Sequence, residues 1–225
     1  MTATTYTVPA NEAERLVALY RYEILDTTPE ATFDRITSIV AAVFDVPIAV
    51  MSLVDNDRSW FKSYCGLNTP QLDRASTMCN TVIQQDDVYV VTDAHAPLTG
   101  QDVGPLLNLG LRFFAGAPLR TREGYNLGTL CALDVEPRQV TQAQRRILQD
   151  LAATVIDEME LRLAARRIAE TDESLRRLNK QLAAASRNKS EFLSSMSHEH
   201  PPKRDPRCLR AALRRTLRQA QRKAG

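Results

Sequence analysis

His198 and Glu199 stand side by side at the end of the segment Asn188-Lys189-Ser190-Glu191-Phe192-Leu193-Ser194-Ser195-Met196-Ser197. A neutral imidazole is a nucleophile near pH 7. A neighbouring carboxylate can accept the other ring proton and hold the useful tautomer. The remaining reactive side chains are four cysteines, Cys65, Cys79, Cys131 and Cys208. None forms a C-x-x-C pair and none has a histidine at zinc-ligand spacing, so they read as free thiols, mostly buried, with no metal site. Thiol redox chemistry on a small metabolite would need Cys65, Cys79 or Cys131 to meet in one pocket. His95 follows Asp93-Ala94 in a polar stretch and reads as a solvated loop residue. Trp60, Phe113, Phe114 and Tyr125, with Cys79 and Cys131, are the candidates for lining a ligand cavity; the competing reading is plain core, where such residues usually lie.

These side chains need elements to position them. Asn11, with Glu14 three residues on, predicts a capped first helix carrying Leu16, Leu19 and Tyr20. Leu25 to Glu30 reads as a turn. Phe33, Ile36, Val40, Val43 and Phe44 share one face of a second helix. Ile48 to Val54 and Ser59 to Tyr64, joined by Asp55-Asn56-Asp57, predict an antiparallel hairpin. A short helix over Ser76 to Gln84, a strand over Val88 to Thr92 and a loop carrying Pro97, Gly100, Gly104 and Pro105 follow. A second hairpin, Phe113 to Leu119 and Leu127 to Leu133, then turns at Glu123-Gly124. Strands in antiparallel pairs with helices at the ends predict an α+β fold with its helices on one face of the sheet.

From Thr141 no helix breaker occurs for nearly sixty residues, and Thr141 with Gln144 forms a capping-box pattern. Leu161, Ile168, Leu175 and Leu182 recur every seven residues, with Leu178 and Ala185 at the offset of three. That a/d seam predicts a coiled coil over about three heptads. The competing reading is a single amphipathic helix lying on its own domain.

Taken in order, several stretches resemble the GAF domains at the front of bacterial sensor kinases. They are Arg21-Tyr22-Glu23-Ile24-Leu25-Asp26-Thr27, Val46-Pro47-Ile48-Ala49, Val54 to Ser63, Val90-Val91-Thr92-Asp93-Ala94, Phe113 to Leu119, and Leu127 to Asp134 followed by Pro137-Arg138. Gly116 and Gly128 inside strand patterns mark bulges or close backbone approaches, as a sheet curved round a pocket requires. The resemblance implies a GAF-type antiparallel sheet with flanking helices, and a pocket for a small ligand whose identity the residues do not select. Some GAF domains hold a bilin through a Cys-His pair; here Asn80 follows Cys79, so no covalent bilin is expected. A haem would want an axial histidine, and His95 in its polar loop is the only one in the sensor stretch.

The segment ending at His198-Glu199 is similar to the start of the dimerisation and phosphoacceptor domain of histidine kinases, whose pattern K-S-x-F-L-x-x-M-S-H-E it matches at every fixed position. This resemblance implies that His198 takes the γ-phosphoryl group of ATP, with Glu199 beside it. In an intact kinase a separate ATP- and magnesium-binding domain supplies the charge neutralisation that phosphoryl transfer needs. After Glu199 the chain departs from the family, continuing His200-Pro201-Pro202-Lys203-Arg204-Asp205-Pro206-Arg207. The two prolines end the helix. Residues 198–225 carry a net charge of +7 and the rest of the chain −5. Codons for 200–207 read one base later can encode Thr-Pro-Leu-Asn-Ala-Ile-Leu-Gly, the family's continuation, so the tail reads as an out-of-frame product. A nucleic-acid or lipid-binding arm, with Leu209, Leu213 and Leu217 amid arginines, is the weaker alternative.

The expected layout is a disordered N-terminus at 1–10, a GAF sensor domain at 11–160 and a signalling coiled coil at 161–187. The start of the phosphoacceptor domain at 188–199 and a basic tail at 200–225 complete it. Hydrophobic content of 44%, no apolar run near the ~18 residues of a membrane span and no signal-peptide pattern at Met1 to Pro9 point to a cytoplasmic protein. The expected partners are a second copy through the coiled coil, a small molecule and, for the intact kinase, a response regulator. A chain of this kind is expected to lack kinase activity alone. Two other readings stay open: a free-standing GAF binding and dimerisation module, and a GAF-type thiol redox enzyme.

Overall fold

A computed structural model describes residues 7–97 and 102–199, with side chains through 194. The chain divides into two compact units, residues 1–167 and 168–225. The first is built on a six-stranded antiparallel sheet of order β3-β2-β1-β6-β5-β4. The strands are β1 (Ile48–Val54), β2 (Arg58–Cys65), β3 (Gln71–Asp73), β4 (Tyr89–Val91), β5 (Phe113–Arg120) and β6 (Asn126–Asp134). The helices are α1 (Glu12–Arg21), α2 (Ala31–Phe44), α3 (Cys79–Val82), α4 (Gly104–Asn108) and α5 (Gln142–Glu199).

Alternation along the strands divides the core in two. Ala49, Met51, Leu53, Trp60, Phe113, Ala115, Ala117, Leu130 and Ala132 point to one face. There they meet Leu19 of α1, Phe33, Ile36, Val40 and Phe44 of α2, and Leu148, Ala152, Val155, Ile156 and Met159 of α5. The spacing of each helical set is that of an amphipathic stripe. The intervening residues Val50, Phe61, Phe114 and Cys131 point to the opposite face, where Met78, Val82, Leu106 and Leu111 cover them. The helices therefore do not all lie on one face as the element order suggested. The three long ones do, while the short α3 and α4 with their loops close the other. A sheet with apolar side chains at both parities must be covered twice.

Local chemistry explains the boundaries. Thr141 and Gln144 form the expected reciprocal cap: Gln144 N–H donates to Thr141 Oγ1 at 3.2 Å and Thr141 N–H to Gln144 Oε1 at 3.0 Å. Asn11 makes no side-chain cap bond, because its ψ of 30° is not the extended conformation a cap requires; Glu12 N–H instead donates to the Pro9 carbonyl. Helix α2 ends before Pro47, with Asp45 in the left-handed conformation. Strand β3 and helix α4 have no counterpart in the sequence reading. β3 has only three residues, and α4 lies in a stretch whose glycines and prolines read as loop, although Pro105 occupies a first-turn position that favours a helix start.

In the second unit the described residues, 168–199, are all helical and belong to α5. Ile168, Leu175, Leu178 and Leu182 are each more than half exposed there. Arg176 with Asp172, and Arg177 with Glu173, make i,i+4 ion pairs along the exposed surface.

Candidate functional site

Between the sheet and the short helices lies a cavity of about 170 Å³. Val50 of β1, Phe61 of β2, Phe114 of β5 and Cys131 of β6 form its floor; Met78 and Leu106 are among the residues that roof it. The strand register brings the floor together: Val50 pairs with Cys131, and Cys131 with Gly116. Glycine at 116 makes room, since a Cβ there would lie 2.7 Å from the Phe114 ring. Among the described residues the lining contains no charged side chain; its polar members are Thr69, Thr77, Cys79 and Cys131. Such a cavity selects uncharged, largely apolar molecules, because a phosphate or carboxylate would enter without a counter-charge.

Its one polar wall gathers around sulfur. Cys79 opens α3, and Thr129 Oγ1 donates to its Sγ at 3.3 Å. The same hydroxyl lies 3.7 Å from Cys131 Sγ, and the Cys131 thiol reaches the Val50 carbonyl at 3.5 Å. Thr77 Oγ1 pairs with Ser59 Oγ at 2.8 Å. Ser52 Oγ is fully buried and makes no hydrogen bond. The Cys131 thiol, opposed by burial but joined by the Thr129 hydroxyl, holds the Cys79 thiol below the ordinary thiol range. Cys131 is pushed well above the ordinary thiol range by the same pairing and by burial. Cys65, Cys79 and Cys131 are all free thiols.

Of the residues singled out for a pocket, Cys79, Phe114 and Cys131 line the cavity. Trp60 and Phe113 lie on the opposite face, in the core against the long helices, and Tyr125 packs against that same core beside the β5–β6 turn. The reason is parity: Phe113 and Phe114 are adjacent in one strand and must diverge. Val50, Phe61, Met78, Leu106 and Leu111 went unrecognised as lining residues. Parity with Cys131 would have found the first two once the register was known. Cys65 packs against the helix-covered core, away from the other two sulfurs. His95 is exposed, its N–H donating to Asp93. His198 and Glu199 fall in α5 by backbone, and their side chains lie outside the described residues, as does the whole tail with Cys208.

Buried cations tie the surrounding elements together. Arg74 reaches Glu12 at 2.5 Å, Asn80 Oδ1 at 2.9 Å and the Asp55 carbonyl at 3.0 Å. Arg15 grips the same Glu12 carboxylate at 2.8 Å through two nitrogens. Asn80 in turn donates to the Thr7 carbonyl at 2.8 Å, and Gln84 donates to it at 3.2 Å. On the other side Lys62, itself buried, contacts Thr27 Oγ1, the Thr28 carbonyl and Glu30 at 2.6–2.8 Å. Glu30 also accepts from Arg162 of α5 at 3.0 Å, so one carboxylate joins β2 to α5. Burial would raise the Glu30 carboxyl, but Lys62 and Arg162 outweigh it and lower it.

Residues 28–157 match the family model of the GAF domain. With the sheet and its curved, two-sided core, this places the chain in the GAF family, to which it belongs. A cyclic di-GMP phosphodiesterase of Pseudomonas aeruginosa is 35% identical over 132 residues, 58% of this chain and 22% of that protein. The chain thus spans about a fifth of that relative's length. Among solved structures, the chromophore-binding domain of a bacteriophytochrome from R. palustris has a TM-score of 0.50 at 12% identity, covering 70% of this chain and 64% of that one. The GAF domain of an Acinetobacter phosphoenolpyruvate-protein phosphotransferase has a TM-score of 0.48 at 19% identity, covering 70% and 97%. Among the described residues no helix is long and apolar enough to cross a membrane.

Proposed function

We propose that this chain is the sensory and dimerising part of a two-component sensor histidine kinase. In this reading the GAF domain takes a small, uncharged ligand in the apolar cavity, and α5 relays its state to the phosphoacceptor His198 through a parallel coiled coil with a second copy. Glu199 holds the imidazole in the tautomer that attacks, and a response regulator receives the phosphoryl group in the intact system.

The observation that carries this reading is the apolar seam on α5. Ile168, Leu175, Leu178 and Leu182 are each exposed by 53–70%, at heptad spacing. Large aliphatic residues at a and d positions are stabilised by a partner helix, and isoleucine or leucine there suits a two-stranded coil. The match of residues 188–199 to the phosphoacceptor pattern supplies the chemistry. The likeness to part of a cyclic di-GMP phosphodiesterase fits a sensory role, because a GAF domain serves as input to more than one kind of output. It favours no phosphate ligand for this cavity, whose described lining residues offer no cation.

Light scattering on the purified chain tests the proposal. A dimer is expected, and Ile168→Glu with Leu175→Glu is expected to return it to monomer, since buried like charges oppose pairing. A monomeric wild-type chain at micromolar concentration would overturn the relay.

A further inference from the structure

Two thiols share one hydroxyl partner where an otherwise apolar cavity turns polar. Both belong to the cavity wall, both are at most 4% exposed, and Thr129 Oγ1 sits between them at 3.3 and 3.7 Å. Ser52, with no hydrogen-bond partner of its own, adds an unsatisfied hydroxyl at 0% exposure. A buried hydroxyl that lacks a partner is costly. A structural cysteine in a core is normally set among apolar groups and is inert. Cys79 instead accepts a hydrogen bond from the Thr129 hydroxyl, which favours the thiolate, the form that reacts.

We infer that Cys79 and Cys131 form an oxidisable dithiol, reached through the apolar cavity, whose substrate class is the organic hydroperoxides. The inference rests on the ligand cavity proposed above and names what enters it. The Cys79 thiolate attacks the terminal oxygen of R–O–O–H; the O–O bond breaks, and the alkoxide leaves as the alcohol after taking a proton. Cys79 is then a sulfenic acid. The Cys131 thiol attacks that sulfur, the S–S bond forms, and the sulfenic oxygen departs as water with the Cys131 proton. The hydroperoxide is reduced by two electrons and the two thiols are oxidised by two. A disulfide here ties α3 to β6. Strand β6 presents Cys131 to the cavity and Leu130 and Ala132 to the long helices, so the bridge is placed to alter the face on which α5 packs.

The full chain is treated with cumene hydroperoxide or hydrogen peroxide, alkylated under denaturing conditions and mapped by mass spectrometry. A Cys79–Cys131 disulfide is expected, formed roughly tenfold faster with the apolar peroxide, as burial of its ring predicts. Cys131→Ser should stop at a sulfenic acid on Cys79 that dimedone traps, and Cys65→Ser should behave as wild type. Circular dichroism verifies that each variant is folded. Unmodified Cys79 and Cys131 after treatment, or oxidation confined to Cys65, overturns the inference, as does absence of the dimedone adduct in folded Cys131→Ser. Binding of 1-aminoanthracene, reduced in Leu106→Trp, tests the cavity separately. Probe bound with both thiols unreacted removes only the dithiol. Oxidation at equal rates by both peroxides, without probe binding, removes the cavity reading instead.

Discussion

The Glu12 carboxylate shows how one residue can hold several elements. Burial would raise its pKa, but hydrogen bonds and charge from Arg15 and Arg74 prevail and bring it down to about 2. The folded value lies below that of the unfolded chain, so the group stabilises the fold above the ordinary glutamate pKa. That contribution fades as pH falls from about 4.5 towards 2. Glu12→Gln removes the charge opposite two buried guanidiniums and should cost about 3 kcal/mol at neutral pH. Urea denaturation at pH 7 and pH 3 checks both statements: the variant should be much weaker than wild type at pH 7 and closer to it at pH 3. Equal gaps at the two pH values would show that Glu12 acts through packing alone.

Among the elements, β6 is an interior strand, paired on both sides by β1 and β5. Gly128 is where it presses closest: a Cβ there would stand 2.0 Å from the Ser52 carbonyl oxygen. Gly128→Ala must therefore part β1 from β6, and a loss of about 3 kcal/mol is expected in chemical denaturation. A fully stable variant would mean that the sheet spreads without cost. That glycine was legible from its place inside a strand pattern, as were β1, the β5–β6 hairpin and the Thr141 cap, all set by local alternation or by side chains three residues apart. Parity was legible as well, yet which parity faced the cavity was not. Both faces of β5 are apolar, so Phe113 and Phe114 are equivalent until the covering helices are known. Helix α4 was hidden by its own Gly104-Pro105, residues that serve a loop and a helix start alike. The meeting of Cys79 with Cys131 depends on α3 folding over β6, a contact between residues some fifty positions apart that no local pattern encodes.

At the scale of the whole molecule, the proposed dimer would give the two units different sources of stability. The sheet and its helices bury a core within one chain, whereas the exposed seam of α5 gains only by association. Thermal unfolding of the full chain should show one transition that rises with protein concentration and one that does not. Ile168→Glu should abolish the first and spare the second; a single concentration-independent melt in wild type would contradict the division. The earliest described residues add a practical point. Thr7 is stitched by its carbonyl to Asn80, within α3, and to Gln84, two residues beyond it. A chain trimmed to start after Thr7 would lose both bonds to the segment that carries Cys79, so the boundary chosen for expression bears on the thiol site as well as on solubility.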